Sequence, residues 1–221
     1  MHPQRWLLIA ALALGGGYFW LSGGLVGIGD MRAQQGGAAP AANPAQASDL
    51  AAATFAAGCF WCTEADFDKV AGVVSTTSGY TGGRVENPSY REVTTGTTGH
   101  AEAVRVVFDP SVVSYEELLD HYWKNVDPFV ANRQFCDAGS QYRPEIFFDN
   151  EAQRSAAEAS KAELQKQFQQ RIVVAISPAG PFYAAEDYHQ DYYMKNSAQY
   201  RFYRFGCGRD RRLAQIADLA G

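Results

Sequence analysis

The sequence predicts an α+β sandwich with a ferredoxin-like split βαβ core, long functional loops and an irregular C-terminal tail. Three observations lead to this fold class. Strand-like and helix-like hydrophobic patterns follow one another in the order strand, helix, strand, strand, helix, strand. Hydrophobic residues make up 47% of the 221 residues, which is enough to bury one substantial core. Two long polar segments between these elements have the length of functional loops.

The first three elements follow from local patterns. Residues 51–57 are small and apolar, which is typical of a short buried strand, and Gly58 interrupts them. From Cys59 the apolar residues recur at helical spacing until Gly72, so a helix is expected there. Residues 73–80 are rich in β-branched side chains and predict the second strand.

The later elements are predicted from alternation, capping and composition. They are strand 102–108, a helix that begins with a capping box at residue 114, strand 145–148, helix 150–171 and strand 172–176. Residues 81–99 and 127–143 are expected to be loops. The aromatic segment after residue 176 is expected to be irregular.

The N-terminal segment differs from the rest in composition. Residues 6–29 contain no charged side chain, so residues 1–30 are expected to be a transmembrane anchor or a signal segment. Residues 31–49, rich in Ala, Gly, Gln and Pro, predict a flexible linker. The folded domain is then expected at residues 50–221, outside the cytoplasm. It would be anchored to the membrane or, alternatively, secreted after signal cleavage.

Charge and cysteine content exclude several classes of protein. The net charge of −5 offers no basic surface, so no nucleic-acid partner is expected. Four cysteines in 221 residues are too few for a disulfide framework. Cys136 and Cys207 lack the short spacing of a second pair of zinc ligands, and we predict no metal site.

The most informative local pattern is the segment Gly58-Cys59-Phe60-Trp61-Cys62. The sulfur of Cys59 would face the free N–H groups at the start of a helix, which favour the reactive thiolate. Three interpretations compete for it, and the first, a zinc site, is disfavoured because a second pair of ligands is missing. The other two are a thioredoxin-like redox pair of Cys59 and Cys62, and a lone nucleophile beside an aromatic pocket of Phe60 and Trp61.

Acidic and phenolic side chains are candidates for acid catalysis. Glu102 lies at the end of an apolar strand face, where burial raises the pKa of a carboxyl group and keeps it protonated. Tyr90, Asp137 and Tyr142 lie in the predicted loops. Tyrosine hydroxyls can donate hydrogen bonds to a developing oxyanion, although each of these residues alone is more often structural.

Six short motifs together carry a family resemblance. They are Gly58-Cys59-Phe60-Trp61, Gly79-Tyr80-Thr81-Gly82-Gly83, Asn87-Pro88-Ser89-Tyr90, Thr98-Gly99-His100-Ala101-Glu102, Gly139-Ser140-Gln141-Tyr142-Arg143 and Ala185-Glu186-Asp187-Tyr188-His189-Gln190. In this order they resemble the peptide methionine sulfoxide reductases of the A type, over about residues 53–213. The resemblance implies a ferredoxin-like core and reduction of the S epimer of methionine sulfoxide, free or in oxidised proteins and peptides.

The resemblance also implies a role for each candidate residue. The matched catalytic residues are Cys59 as nucleophile, Glu102 as acid, and Tyr90 and Tyr142 as hydroxyls near the sulfoxide oxygen. The matched substrate-binding residues are Phe60 and Trp61 around the terminal methyl group and Asp137 as a positioning carboxylate. No metal, flavin or nucleotide cofactor is implied. The implied reductant is an external dithiol, such as a thioredoxin-like protein.

Three cysteines are candidates for the resolving thiol, which forms a disulfide with oxidised Cys59. Cys62, where the family often has Gly, is nearest in sequence, but its helix position directs it away from the pocket opening. Cys136, where the family often has Asn, adjoins Asp137. Cys207 lies between two glycines in a tail expected to be mobile. The family tends to place its resolving cysteine near the C-terminus, although this tail has one cysteine where some members have two, and Cys207 is therefore favoured.

Two other functions remain open on the sequence. A general thiol–disulfide oxidoreductase would use Cys59 and Cys62 as a redox pair. An anchored binding domain would use its cysteines only in structural disulfides. Turnover of methionine sulfoxide with dithiothreitol separates both from a sulfoxide reductase.

Overall fold

The structure is a computed structural model that describes residues 50–219. Its strands are β1 (Ala51–Ala57), β2 (Val73–Thr81), β3 (Ala101–Phe108), β4 (Arg133–Gln134), β5 (Asp137–Ala138), β6 (Pro144–Phe148), β7 (Ala175–Pro178) and β8 (Tyr183–Ala184). Its helices are α1 (Phe60–Phe67), α2 (Tyr90–Thr94), α3 (Tyr115–Lys124), α4 (Glu151–Gln165), α5 (Tyr192–Lys195), α6 (Ser197–Cys207) and α7 (Arg209–Leu219). A short 3-10 turn spans Ser140–Tyr142.

A six-stranded sheet with the order β7-β6-β1-β3-β2-β8 forms the centre of the domain. Its four central strands, β6, β1, β3 and β2, pair antiparallel, and only β7 runs parallel to its neighbour β6. The order of these four strands is that of a ferredoxin-like sheet, so the predicted fold class is confirmed. β4 and β5 form a separate small hairpin.

Helices α1 and α3 cover the same face of the sheet. Phe55 of β1 stacks on Phe67 of α1 at 4.8 Å between ring centroids and on Tyr122 of α3 at 5.4 Å. All three side chains are fully buried, and burial of such rings is a large apolar contribution to folding. The opposite face is covered by a smaller cluster, in which Phe147 of β6 packs with Phe182 of the segment before β8.

The predicted positions of the core elements are largely confirmed. The capping box at Ser114 forms as expected, and its side chain accepts a hydrogen bond from the N–H of Glu117. The helix predicted at residues 150–171 ends earlier, at Gln165, and the strand predicted at residues 172–176 is found at Ala175–Pro178. The two predicted loops contain α2 and the β4–β5 hairpin.

The prediction of an irregular C-terminal tail is wrong, because α5, α6 and α7 follow one another from Tyr192 to Leu219. The inner face of α6 consists of Tyr200, Tyr203 and Arg204, at positions that share one side of a helix. The residues that recur at helical spacing on its buried face are thus aromatic and charged, not aliphatic. A search for aliphatic periodicity therefore missed the helix.

These C-terminal helices also explain the burial of charged groups on α1. Two of its acidic residues, Glu64 and Asp66, are buried. A carboxylate of Asp66 pairs with Arg204 at 2.9 Å and with Arg209 at 3.5 Å. A buried carboxylate needs such partners, and these two arginines come from α6 and α7.

The two N-terminal predictions lie outside the described residues. These are the anchor or signal segment at residues 1–30 and the linker at residues 31–49. Among the helices between residues 50 and 219, none is both long enough and apolar enough to cross a membrane.

Candidate active site

Gly58 makes the sharp turn that joins β1 to α1. Its φ of +85° lies in the left-handed region, and a Cβ added there would lie 2.5 Å from the Cβ of Gln134. Cys59 follows at the N-terminal cap of α1, and its carbonyl oxygen accepts the first helical hydrogen bonds, from the N–H groups of Cys62 and Thr63. The backbone therefore holds Cys59 in one place at the start of the helix.

A small cavity of about 80 Å³ opens beside Cys59. Its lining combines thiol, carboxyl, phenol and aromatic groups: Cys59, Phe60, Trp61, Tyr90, Glu102, Asp137, Tyr142 and Tyr203. The structure thus brings together every catalytic and substrate-binding residue named from the sequence. Tyr203 of α6 completes the lining and was not predicted.

Glu102 of β3 contributes a buried carboxyl group to this cavity. One of its oxygens accepts a hydrogen bond from the Phe60 N–H at 3.1 Å, and its side chain is buried. Burial raises the pKa of Glu102 to about 8, against the opposing effect of the Phe60 N–H. Glu102 is therefore largely protonated at neutral pH and can donate its proton to a bound oxygen.

The hydroxyls of Tyr90 and Tyr142 face the same space. Burial and the neighbouring Glu102 raise the pKa of both phenols, so both stay protonated and can serve as hydrogen-bond donors. Tyr90 is held by its backbone N–H, which donates to a carboxylate oxygen of Glu186 at 2.8 Å. These donors can stabilise charge that develops on an oxygen next to Glu102.

The aromatic wall is fixed by contacts outside the cavity. The ring of Trp61 stacks on Tyr192 at 3.8 Å, and its Nε1 donates to Nδ1 of His189 at 3.0 Å. His189 also contacts Phe60, with 5.0 Å between ring centroids. An apolar wall held in one orientation suits a small apolar substituent such as a methyl group.

Asp137 and Tyr203 form a hydrogen-bonded pair in the lining of the cavity. The Tyr203 hydroxyl donates to a carboxylate oxygen of Asp137 and lies within hydrogen-bonding reach of the Cys59 sulfur. Burial raises the pKa of Asp137, while the bond from Tyr203 opposes that rise. We call this pair, Asp137 and Tyr203, the polar rim of the cavity.

Cys59 and Cys62 are both free, buried and in contact with each other. Burial, together with the bond that its thiol donates to Cys62, raises the pKa of Cys59. That bond lowers the pKa of Cys62, and the charges of Arg209 and Arg204 lower it further. The resting form of Cys59 is therefore a thiol. The expectation that the helix start favours the thiolate is not met in this resting form, because burial raises the pKa of Cys59.

Comparison with known proteins identifies the family. Residues 51–219 match the family model described as peptide methionine sulfoxide reductase.

The chain belongs to the peptide methionine sulfoxide reductase family.

Curated relatives and solved structures agree with this assignment. A peptide methionine sulfoxide reductase MsrA of Bacillus licheniformis is 50% identical, over 74% of this chain and 91% of its own. One of Ligilactobacillus salivarius is 52% identical, over 72% and 93%. The reduced form of Mxr1 from Saccharomyces cerevisiae is similar with a TM-score of 0.65 and 34% identity, over 70% of this chain and 88% of that one. Methionine sulfoxide reductase A of Corynebacterium diphtheriae has a TM-score of 0.62 and 35% identity, over 71% and 77%. The chain is accordingly an oxidoreductase that reduces methionine sulfoxide.

The other two cysteines of the reductase form a disulfide, Cys136–Cys207, across 71 residues of sequence. Cys207 was favoured as resolving thiol partly because it was expected in a mobile, irregular tail. That part of the expectation is not met, because Cys207 ends helix α6 and its sulfur is bonded to Cys136. These two sulfurs and Asp137 lie close together, but sulfurs joined in a disulfide offer no thiolate to a metal.

Sequence reasoning missed three residues that line the cavity or pack around it: Tyr203, His189 and Arg209. His189 lies within one of the six motifs, and that motif was its only signal. Tyr203 was hidden in the segment expected to be irregular. Arg209 is 2% exposed and donates to the carbonyl oxygens of Ala57, at 3.1 Å, and Asn125, at 2.6 Å. Nothing in the sequence distinguishes this buried arginine from its exposed neighbours.

Proposed function

We propose that this reductase converts the S epimer of methionine sulfoxide, free or in oxidised proteins, to methionine with Cys59 as nucleophile and Glu102 as acid. The observation that carries the proposal is one cavity in which a thiol faces a protonated, buried carboxyl group. Protein repair after oxidation is the biological role that this chemistry would serve.

The reaction moves one oxygen atom from substrate to enzyme. Glu102 gives a proton to the sulfoxide oxygen, which makes the sulfur electrophilic, and Tyr90 and Tyr142 stabilise that oxygen by hydrogen bonds. The Cys59 sulfur attacks, and the proton that Cys59 loses restores Glu102. The oxygen then passes to the Cys59 sulfur as the S–O bond of the substrate and the new S–S bond both break, so that methionine leaves and Cys59 becomes a sulfenic acid. The substrate sulfur is reduced by two electrons and the Cys59 sulfur is oxidised by two.

Selectivity for one epimer would follow from three fixed directions around the substrate sulfur. Its methyl group would pack on Phe60 and Trp61, its oxygen would face Glu102, and Asp137 would hold the polar remainder at the rim. A sulfur with three different substituents fits such a site in only one configuration. The R epimer would direct either its oxygen at the aromatic rings or its methyl group at the carboxyl group of Glu102.

We propose Cys62 as the resolving thiol. Its sulfur already contacts Cys59, and nearby Arg209 and Arg204 favour its thiolate. Attack of Cys62 on the sulfenic acid would form a Cys59–Cys62 disulfide and release water. An external dithiol, such as a thioredoxin-like protein, would then reduce this disulfide by exchange and leave as a disulfide itself.

Replacement of the resolving thiol separates the first turnover from recycling. In Cys62→Ser the first methionine should form at close to the wild-type rate, because Cys59 and Glu102 are intact. Turnover driven by a thioredoxin-like donor should fall by ~10²-fold or more, since no intramolecular disulfide can form. Methionine per chain, followed by chromatography with and without the donor, measures both. Wild-type recycling in Cys62→Ser would assign the resolving role to another cysteine.

We also propose that residues 1–30 anchor the reductase in a membrane with its domain outside the cytoplasm. The uncharged run at residues 6–29 supports an anchor, and the composition of residues 31–49 suits a tether. Protease added to spheroplasts that express the full chain should digest the domain and spare a cytoplasmic marker. Protection of the domain would refute this orientation, and recovery of the full-length chain in the soluble fraction would refute the anchor.

A further inference from the structure

We propose that the Cys136–Cys207 disulfide is a clamp that positions Asp137 and Tyr203 at the cavity and thereby sets the affinity for the substrate. In this view Cys136 and Cys207 do not exchange electrons during turnover. The inference rests on the proposed function, in which Cys59 supplies the nucleophile.

Asp137 lies on a short hairpin that has little support of its own. β4 and β5 contain two residues each, and the turn between them consists of Phe135 and Cys136. The side chain of Gln134 fixes the base of this hairpin by two hydrogen bonds to the backbone of Asp127, at 2.9 and 2.8 Å. A two-residue ladder is only marginally stable, so the position of Asp137 depends on contacts beyond the hairpin.

Helix α6 supplies those contacts through two neighbouring links. The Tyr203 hydroxyl donates to Asp137, and the disulfide joins Cys207 to Cys136. Tyr203 and Cys207 are one helical turn apart on α6, while Cys136 and Asp137 are adjacent in the chain. The N–H of Cys136 also donates to the Cys207 sulfur at 3.1 Å, so the tip of the hairpin lies directly against helix α6.

A third contact shows that the hairpin tip lies against the C-terminal helices. The guanidinium of Arg209 stacks over the ring of Phe135 at 4.5 Å from its centroid. Only the covalent link, however, prevents the tip and α6 from separating when the weaker contacts open. The clamp therefore holds the polar rim of the cavity closed around a bound substrate.

The consequence is a separation of binding from chemistry. In this proposal Asp137 and Tyr203 would contact a bound substrate, whereas Cys59 and Glu102 are held by α1 and β3. Loss of the clamp should weaken substrate binding and leave the chemical step intact. A disulfide that served stability alone would lower the melting temperature without changing the substrate concentration that gives half the maximal rate.

The test compares the wild-type full chain with the double variant Cys136→Ser, Cys207→Ser in single turnover against methionine sulfoxide concentration. Thiol labelling of the unfolded wild type first verifies that only Cys59 and Cys62 are free. The methionine sulfoxide concentration that gives half the maximal rate should rise about 3- to 10-fold in the double variant. This is the size of effect expected when one hydrogen bond to the substrate is no longer well positioned. The rate at saturating methionine sulfoxide should stay within about twofold of the wild-type rate, because the disulfide is not coupled to Cys59 and Glu102.

A second comparison makes the positioning role specific. In a Tyr203→Phe background the hydroxyl that bonds Asp137 is already absent. Removal of the disulfide should then change the half-saturating concentration by less than about twofold. An equal effect in both backgrounds would overturn the proposal, and so would an unchanged half-saturating concentration in the double variant. Loss of recycling in the double variant would assign electron transfer to these cysteines and would also overturn it. A wild type that forms no methionine at all would instead contradict the proposed function.

Discussion

Cys59→Ser should form no measurable methionine in a single turnover, with a rate below ~10⁻⁴ of the wild-type rate. A serine hydroxyl in the same cavity is a far weaker nucleophile towards sulfur, and it cannot form the sulfenic acid that receives the oxygen atom. The measurement is methionine released per chain from the pre-reduced enzyme in the absence of any added reductant.

The matched control for this variant is Cys62→Ser. It removes the second thiol of the contacting pair from the same helix, yet the first turnover should persist in it. A Cys59→Ser protein that still releases one methionine per chain would remove Cys59 from the nucleophile's role. Loss of the first turnover in both variants would instead indicate that the two thiols act as one unit.

Glu102→Gln should slow the chemical step by ~10²–10⁴-fold, because the amide fills the same space but has no acidic proton to give. The sign of the pH effect follows from the raised pKa. Glu102 is the active acid below its pKa of about 8, so the wild-type rate should fall as the pH rises through that value.

The residual rate of the variant should therefore lack this descending limb. Single-turnover rates of both proteins between pH 6 and pH 10 measure it. Glu116→Gln is a suitable control, since Glu116 is an exposed carboxylate in the first turn of α3 and does not line the cavity. A descending limb that survives unchanged in Glu102→Gln would assign the proton to another group.

The residues that were named from the sequence and that line the cavity share one property: their signal is local. Cys59 follows a glycine at the junction of a strand and a helix, and Glu102 ends a strand whose alternation is plain in the sequence. The glycine turn before Cys59 and the alternation of apolar and polar residues along the strand of Glu102 suffice to place both residues at the sheet. The ordered motifs then add Tyr90 and Tyr142, which neither hydrophobic periodicity nor composition would identify as candidate site residues.

The residues that were missed depend on contacts between distant parts of the chain. Tyr203 reaches Asp137 across 66 positions, and Arg209 reaches the carbonyl oxygen of Ala57 across 152. The pairing of Cys136 with Cys207 is of the same kind, because connectivity between cysteines cannot be deduced from their spacing. The state of Cys59 was mispredicted for a related reason. Its burial depends on side chains that α6 contributes to the cavity.

Peptide mapping after one turnover tests the central claim most directly. The full chain, with Cys59 and Cys62 reduced and the Cys136–Cys207 disulfide intact, is mixed with one equivalent of the S epimer of methionine sulfoxide. It is then quenched with an alkylating reagent and digested. Our account predicts one methionine per chain, a new Cys59–Cys62 disulfide and an unchanged Cys136–Cys207 peptide. Absence of methionine, or methionine without any oxidation of Cys59, would contradict the account.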